Sequence, residues 1–233
     1  MKKNILYTML LALVAFTFAS CGDKDSEGKS RFTFYPTIEL LGEASMHVDK
    51  GTAYVEPGFV STLNGEDVSD KVTVTGTVNT NKSGVYTLTY TTTTNEDGFS
   101  ASATRTVIVL DPNSAVEGFY LNSPTSYRLR QGAQVAYGAA FELLVIDNGD
   151  GTYSVDDLLG GWYRDRAGYG NNYAMQALIG IDEAGTVTLL QSYVPGWGDS
   201  HDNFTGTFDA ATGTFNFDVV YAEMNFVQTW VKE

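Results

Sequence analysis

Two glycine-broken runs gather most of the side chains that could do chemistry in this 233-residue chain. They are Gly160-Gly161-Trp162-Tyr163-Arg164-Asp165-Arg166-Ala167-Gly168-Tyr169-Gly170-Asn171-Asn172-Tyr173 and Tyr193-Val194-Pro195-Gly196-Trp197-Gly198-Asp199-Ser200-His201. Glycine interrupts regular strand packing, so several of these rings should sit in loops. A flat ring suits the apolar C–H face of a pyranose, and planar Arg, Asn and Asp groups pair with its hydroxyls. The candidate ligand-binding residues are therefore Trp162, Tyr163, Arg164, Tyr169, Asn172, Tyr173, Tyr193, Trp197 and Asp199, with an oligo- or polysaccharide as ligand. A second reading stays open: aromatics bury large areas, and Trp162, Tyr163 and Trp197 could instead plug the end of a barrel.

Other chemistries find less support. Glycoside hydrolysis needs two carboxylates about 5 to 9 Å apart. Asp156, Asp157, Asp165, Asp199 and Asp202 lie in the right part of the chain, but solvated turn acids explain them as well. There is no Gly-x-Ser-x-Gly elbow, and neither His47 nor His201 has a nucleophile motif around it. Asp147-Asn148-Gly149-Asp150-Gly151 lacks the downstream Glu of a calcium loop and reads as a hairpin turn. One Cys and two His cannot build a zinc site of the usual kind. No catalytic residue, metal or cofactor is expected, and the chain reads as a non-enzyme. With 14 Lys and Arg against 28 Asp and Glu, a net charge of −14 argues against nucleic acid as a partner.

The elements that must position these residues read as β throughout, since 43% hydrophobic content supplies cores and no helical periodicity appears. Val72, Val74 and Val78 alternate with Thr73, Thr75 and Thr77. Tyr86, Leu88 and Tyr90 alternate with Val85, Thr87 and Thr89. Arg105 to Leu110 supplies a last strand, and Asn64-Gly65, Ser83-Gly84 and Asp97-Gly98 supply turns. After the turn-rich Asp111-Pro112-Asn113-Ser114, Phe141, Leu143 and Val145 alternate with Glu142, Leu144 and Ile146. Phe215, Phe217, Val219 and Tyr221 do so with Asn216, Asp218 and Val220. Acid-plus-glycine turns at 147–151, 182–185 and 209–213 indicate an antiparallel meander. The expected organisation is an immunoglobulin-like (Ig-like) β-sandwich over 35–112 followed by a β-barrel or sandwich over 115–233.

The N-terminus reads as an address. Met1-Lys2-Lys3 is a positive start, Ile5 to Phe18 is apolar but short for a bilayer span, and Phe18-Ala19-Ser20-Cys21 closes it. That closure resembles a bacterial lipobox, with Phe18 where Leu is usual. It implies a signal peptide over 1–20, a lipidated Cys21 and a polar tether over 21–34. An ordinary secretory signal with an incidental Cys is the alternative. The acidic chain cannot hold anionic lipid by charge, so membrane attachment would rest on the acyl chains.

Further residues carry a family resemblance. Pro36 to Gly42, Lys50-Gly51-Thr52-Ala53-Tyr54-Val55-Glu56-Pro57-Gly58, Gly84 to Tyr90 and Arg105 to Val109 resemble, in order, the bacterial Ig-like domain of Bacteroidetes surface lipoproteins. Glu56 stands where Asp is expected. With Gly118-Phe119-Tyr120, Asp150-Gly151-Thr152-Tyr153 and Gly160-Gly161-Trp162-Tyr163 downstream, the whole resembles two-domain lipoproteins of Sus-type glycan-uptake loci. The resemblance implies an outer-membrane lipoprotein facing the cell exterior, a non-catalytic glycan-binding accessory beside a SusC/SusD-like transporter. The alternatives are a structural or protein-interaction subunit without a ligand of its own, and a weak glycoside hydrolase.

Overall fold

The computed structural model describes residues 32–233. The expected signal peptide, Cys21 and the tether up to residue 31 lie outside the described residues. Seven strands come first: β1 (Thr37–Leu40), β2 (Ser45–Asp49), β3 (Phe59–Leu63), β4 (Glu66–Asp67), β5 (Thr73–Thr75), β6 (Gly84–Thr91) and β7 (Ser102–Leu110). They form two sheets, β1-β3-β4 and β2-β7-β6-β5, with β2 parallel to β7 and the other pairs antiparallel. The sheets meet through Phe59 and Tyr90, whose ring centroids are 5.1 Å apart. Alternation decides which side chains enter: Leu88 and Tyr90 of β6, and Arg105, Val107 and Val109 of β7, are buried. This is the Ig-like sandwich.

Two expectations need correction. The Val72–Val78 alternation yields only the three-residue strand β5, which lies at the edge of its sheet with β6 as its one neighbour and is exposed along its length. Ser83-Gly84 is not a hairpin turn. Gly84 opens β6, and Ser83 is buried because its hydroxyl donates to Glu117.

Ten strands follow: β8 (Gly118–Asn122), β9 (Tyr127–Arg130), β10 (Ala133–Ala136), β11 (Phe141–Asp147), β12 (Thr152–Val155), β13 (Gln176–Ile181), β14 (Thr186–Tyr193), β15 (Asn203–Asp209), β16 (Thr214–Tyr221) and β17 (Met224–Lys232). Eight of them, β8 and β11 to β17, close an antiparallel barrel when Trp230–Lys232 of β17 pairs with β8. The other half of that β17 edge, Asn225–Val227, pairs with β9, whose hairpin partner is β10. The three acid-plus-glycine turns join β11 to β12, β13 to β14 and β15 to β16, as alternation and turn chemistry required. Between β16 and β17 the turn is Ala222-Glu223 at φ 51° and 61°, a conformation that usually calls for Asn-Gly. Eight strands leave an interior that side chains can fill. Leu143, Val145, Ile179, Phe215, Phe217, Phe226 and Trp230 fill it.

One carboxylate joins the sandwich to the barrel. Glu117 is buried and accepts Ser83 Oγ at 2.9 Å, the Asp147 amide at 2.9 Å and the Asp111 amide. Nearby, Lys232 Nζ donates to the Ser114 carbonyl at 2.5 Å, and His47 of β2 meets the edge of Phe119 in β8 at 5.8 Å.

Candidate functional site

The segment between β12 and β13 folds over one end of the barrel and carries most of the candidate residues. Asp157 organises it. Wholly buried, its carboxylate accepts the amides of Leu159 at 3.0 Å, Gly161 at 3.1 Å and Met175 at 3.0 Å. Burial pushes its pKa up to about 7, against the pull of Arg164 and the backbone amides. The barrel in turn holds the segment by its carbonyls. Gln228 donates to Leu158 O, Tyr137 OH to Leu159 O and Asn122 to Gly160 O, at 2.7 to 2.9 Å. Gly160 and Gly161 lie at φ 63° and 82°, and a Cβ on Gly160 would sit 2.1 Å from Gln228 Oε1. These glycines therefore serve a tight turn against the core.

Trp162 is the plug. It is 3% exposed, edge-on to Tyr137 at 4.9 Å, with the guanidiniums of Arg166 and Arg128 at 4.3 and 4.7 Å from its ring centroid. Its assignment as a ligand-binding residue is corrected on that ground: no ligand can reach a ring covered by the loop and two arginines.

The remaining rings form an exposed mosaic. Trp197 stands at 4.7 Å from Tyr163 and 4.8 Å from Tyr173, edge to face in both cases, and Tyr163 stacks on Tyr169 at 6.0 Å. Tyr169 is 55% exposed and Trp197 is 42% exposed, while Tyr163 and Tyr173 are half-buried beneath them. Gly196 lets the two loops meet: its amide donates to the Asn172 carbonyl at 2.6 Å, and a Cβ there would strike the Tyr173 ring at 2.6 Å. Asn172 and Asp199 are exposed, and Asp199 accepts Tyr221 OH at 2.8 Å. Burial, reinforced by that bond, pushes the Tyr221 phenol well up.

Arg164 and Tyr193 belong elsewhere. Arg164 is bound by Asp156 and by Asp165 at 2.8 Å, and it lines a groove of about 940 Å³ on the outer face of β11 to β14. Tyr193, 50% exposed, lies on the same groove with Leu144, Gln176, Leu190 and His201, and Val85 of the sandwich lies at its border. In that groove Ser192 Oγ is 2.8 Å from His201 Nδ1 but also accepts the His201 amide, a local turn with no carboxylate on the imidazole. Of the acids weighed for hydrolysis, Asp157 organises the loop, Asp156 and Asp165 pair with Arg164, and Asp199 bonds Tyr221. Among the described residues no group of three His, Cys, Asp or Glu could hold a metal ion.

Sequence reasoning missed Arg128, Arg130, Arg166 and Tyr221, which surround Tyr163 and the plug. A signal existed for the arginines: from residue 115 onward the chain has only five cationic side chains, Arg128, Arg130, Arg164, Arg166 and Lys232.

Comparison with known proteins accords with this architecture. The family model of a bacterial surface protein, Ig-like domain, matches residues 38–109, and a family model of a C-terminal domain matches residues 110–232. The crystal structure of the lipoprotein BT2262 from Bacteroides thetaiotaomicron is 38% identical. The match covers 85% of this chain and 100% of that one, at a TM-score of 0.71. A structure of the M60 catalytic domain with two CBM51 domains from Clostridium perfringens ZmpB matches at 11% identity and a TM-score of 0.29. That match covers 87% of this chain and 21% of that one, and is too low to carry an argument. No curated protein matches. An Ig-like sandwich, a closed eight-stranded barrel and 38% identity over the whole of a solved relative together place the chain in one family, that of BT2262: a bacterial surface Ig-like domain followed by this C-terminal barrel domain.

Proposed function

We propose that this chain is a lipoprotein of the outer membrane, held by Cys21 and facing the cell exterior, whose barrel end binds oligosaccharide without catalysis. In this role it serves an uptake complex of the SusC/SusD type. The observation that carries the reading is the exposure of Tyr169 and Trp197 outside the core, on a rigid support of other rings. Contiguous exposed apolar patches rimmed by polar groups mark binding surfaces, and these two rings adjoin at 6.2 Å. The lipoprotein character of the BT2262 relative supports the anchor. Titration of the chain with a panel of soluble polysaccharides tests the reading. Trp197→Ala and Tyr169→Ala should each weaken binding roughly tenfold, on the scale of one lost aromatic stacking contact. Unchanged affinity in both variants, or no binding to any saccharide, rejects it.

A second reading has its own support: Tyr, Trp and Arg side by side are the residues of protein-interface hot spots. Under that reading the same two variants would release the chain from its transporter complex and leave saccharide binding nil.

A further inference from the structure

Three arginines without a carboxylate partner stand near the aromatic mosaic of a strongly acidic protein. Arg128 and Arg130 lie on β9, two residues apart and hence on one face, and Arg166 lies in the turn that follows Trp162. Among the described residues, Arg164 and Arg105 each pair with carboxylates, whereas Arg128, Arg130 and Arg166 pair with none. Arg166 donates to the Tyr137 carbonyl at 3.1 Å. Arg128 has a buried Nε with no acceptor. Both Arg128 and Arg166 are fixed by lying over the Trp162 ring, so their guanidiniums are ordered before anything binds. Arg128 is the cross-strand partner of Phe226, whose ring lies 6.1 Å from that of Tyr163, and Tyr163 in turn contacts Tyr169 and Trp197. The arginines and the exposed rings therefore adjoin one another around Tyr163.

Acids outnumber bases two to one in this chain, yet these three arginines have no carboxylate partner among the described residues. Intramolecular partners are plentiful, and a guanidinium is best matched by a bidentate oxyanion. Three such groups beside a ring platform form a receptor for an oxyanion attached to a flat, partly apolar molecule.

We propose that the barrel end selects acidic saccharides, with Tyr169 and Trp197 taking the sugar face and Arg128, Arg130 and Arg166 taking its carboxylate or sulfate. This inference rests on the saccharide-binding reading above and narrows it to a ligand class.

The test is titration calorimetry on the intact chain with four probes: polygalacturonate, chondroitin sulfate, neutral dextran and poly-glutamate. Binding of either acidic polysaccharide, weakening steeply as salt rises from about 20 to about 500 mM, supports the inference. Which of the two binds tells carboxylate from sulfate. Arg130→Gln, at an exposed position, should weaken that binding about tenfold without moving the melting temperature, and Arg128→Gln should do the same if the plug holds. Dextran bound as tightly as the acidic polymers, or acidic binding unchanged in Arg130→Gln, overturns the inference and leaves saccharide binding standing. Poly-glutamate bound as tightly as the acidic polysaccharides also overturns it, since charge alone would then suffice. Silence of all three polysaccharides removes both readings.

Discussion

Arg105 in the sandwich and the arginines at the barrel end put the same side chain to opposite uses. Arg105 is wholly buried and fully satisfied. It reaches Glu56 at 3.0 Å, the carbonyls of Leu41 at 2.8 Å and Gly58 at 3.1 Å, and the carbonyl of Glu43. It ties together the loops after β1 and before β3 in a module whose apolar core is thin. At the barrel end Arg128 and Arg166 lie over the Trp162 ring, Arg166 spends one donor on the Tyr137 carbonyl, and neither they nor Arg130 meet a carboxylate of their own chain among the described residues. A guanidinium enclosed by its own chain is architecture, and one presented beside exposed rings is available for recognition.

The largest effect on this contrast should come from Arg105→Met. It removes the charged partner of Glu56 and a donor from the carbonyls of Leu41, Glu43 and Gly58, a loss of about 3–5 kcal/mol for breaking the pair. Since Trp162, Trp197 and Trp230 all lie in the barrel, tryptophan fluorescence follows that module alone. Hydrogen exchange should show the sandwich amides opening in this variant while the fluorescence transition moves little. Coincident loss of both modules would mean that the sandwich and the barrel unfold as one unit.

Trp162→Ala should be comparable, costing the barrel about 3–5 kcal/mol as a core aromatic. Trp197→Ala, half in water, should cost about 1 kcal/mol or less, and thermal melts of the two variants check the difference.

Acid should act on the two modules with opposite signs. Asp157 has a folded pKa raised to about 7 from an ordinary value near 4, so the folded barrel binds this proton more tightly than the unfolded chain. Its contribution is greatest below pH of about 4 and is lost as pH rises toward about 7, a drift on the order of a few kcal/mol. Glu56 is the reverse. Burial would raise its pKa, but hydrogen bonds from Tyr54 and the Gly58 amide and the charge of Arg105 together hold it below the usual range. Its contribution is therefore present above the ordinary carboxylate pKa and fades on acidification. Denaturant melts at pH 4, 5, 6 and 7, followed by tryptophan fluorescence, should show the Asp157 drift. Asp157→Asn should flatten it and cost about 1–3 kcal/mol, because an amide cannot accept all three backbone N–H groups.

The smallest effect is a gain. Replacing Ala222-Glu223 with Asn-Gly relieves two positive φ angles and should stabilise the barrel by about 0.5–1 kcal/mol, measured as a higher melting temperature.

Much of this was legible in the sequence. Period-2 alternation gave the facing of β6, β11 and β16, and the acid-plus-glycine pairs gave three hairpins, because both are local properties of the chain. Arg105 was legible in principle, since it alternates inward with Val107 and Val109. The division of the candidate residues was not. Trp162 and Trp197 share a glycine-rich texture, and only the path of the segment over the barrel decides that one ring is covered and the other exposed. Tyr193 and Arg164 likewise part from the mosaic: the pairing of β14 with β13 turns Tyr193 to the outer groove, and Asp156 and Asp165 hold Arg164 there, consequences of tertiary placement that no spacing reveals.

Glu117 sets the mechanics of the whole. One side chain takes a hydroxyl from the sandwich, an amide from the connection and an amide from the barrel. Bending the modules apart breaks bonds to a single buried charge, so the joint resists torque as a pinned strut does. The bearing of the barrel end, and with it the direction from which a large molecule can approach, is then set by where the sandwich is held.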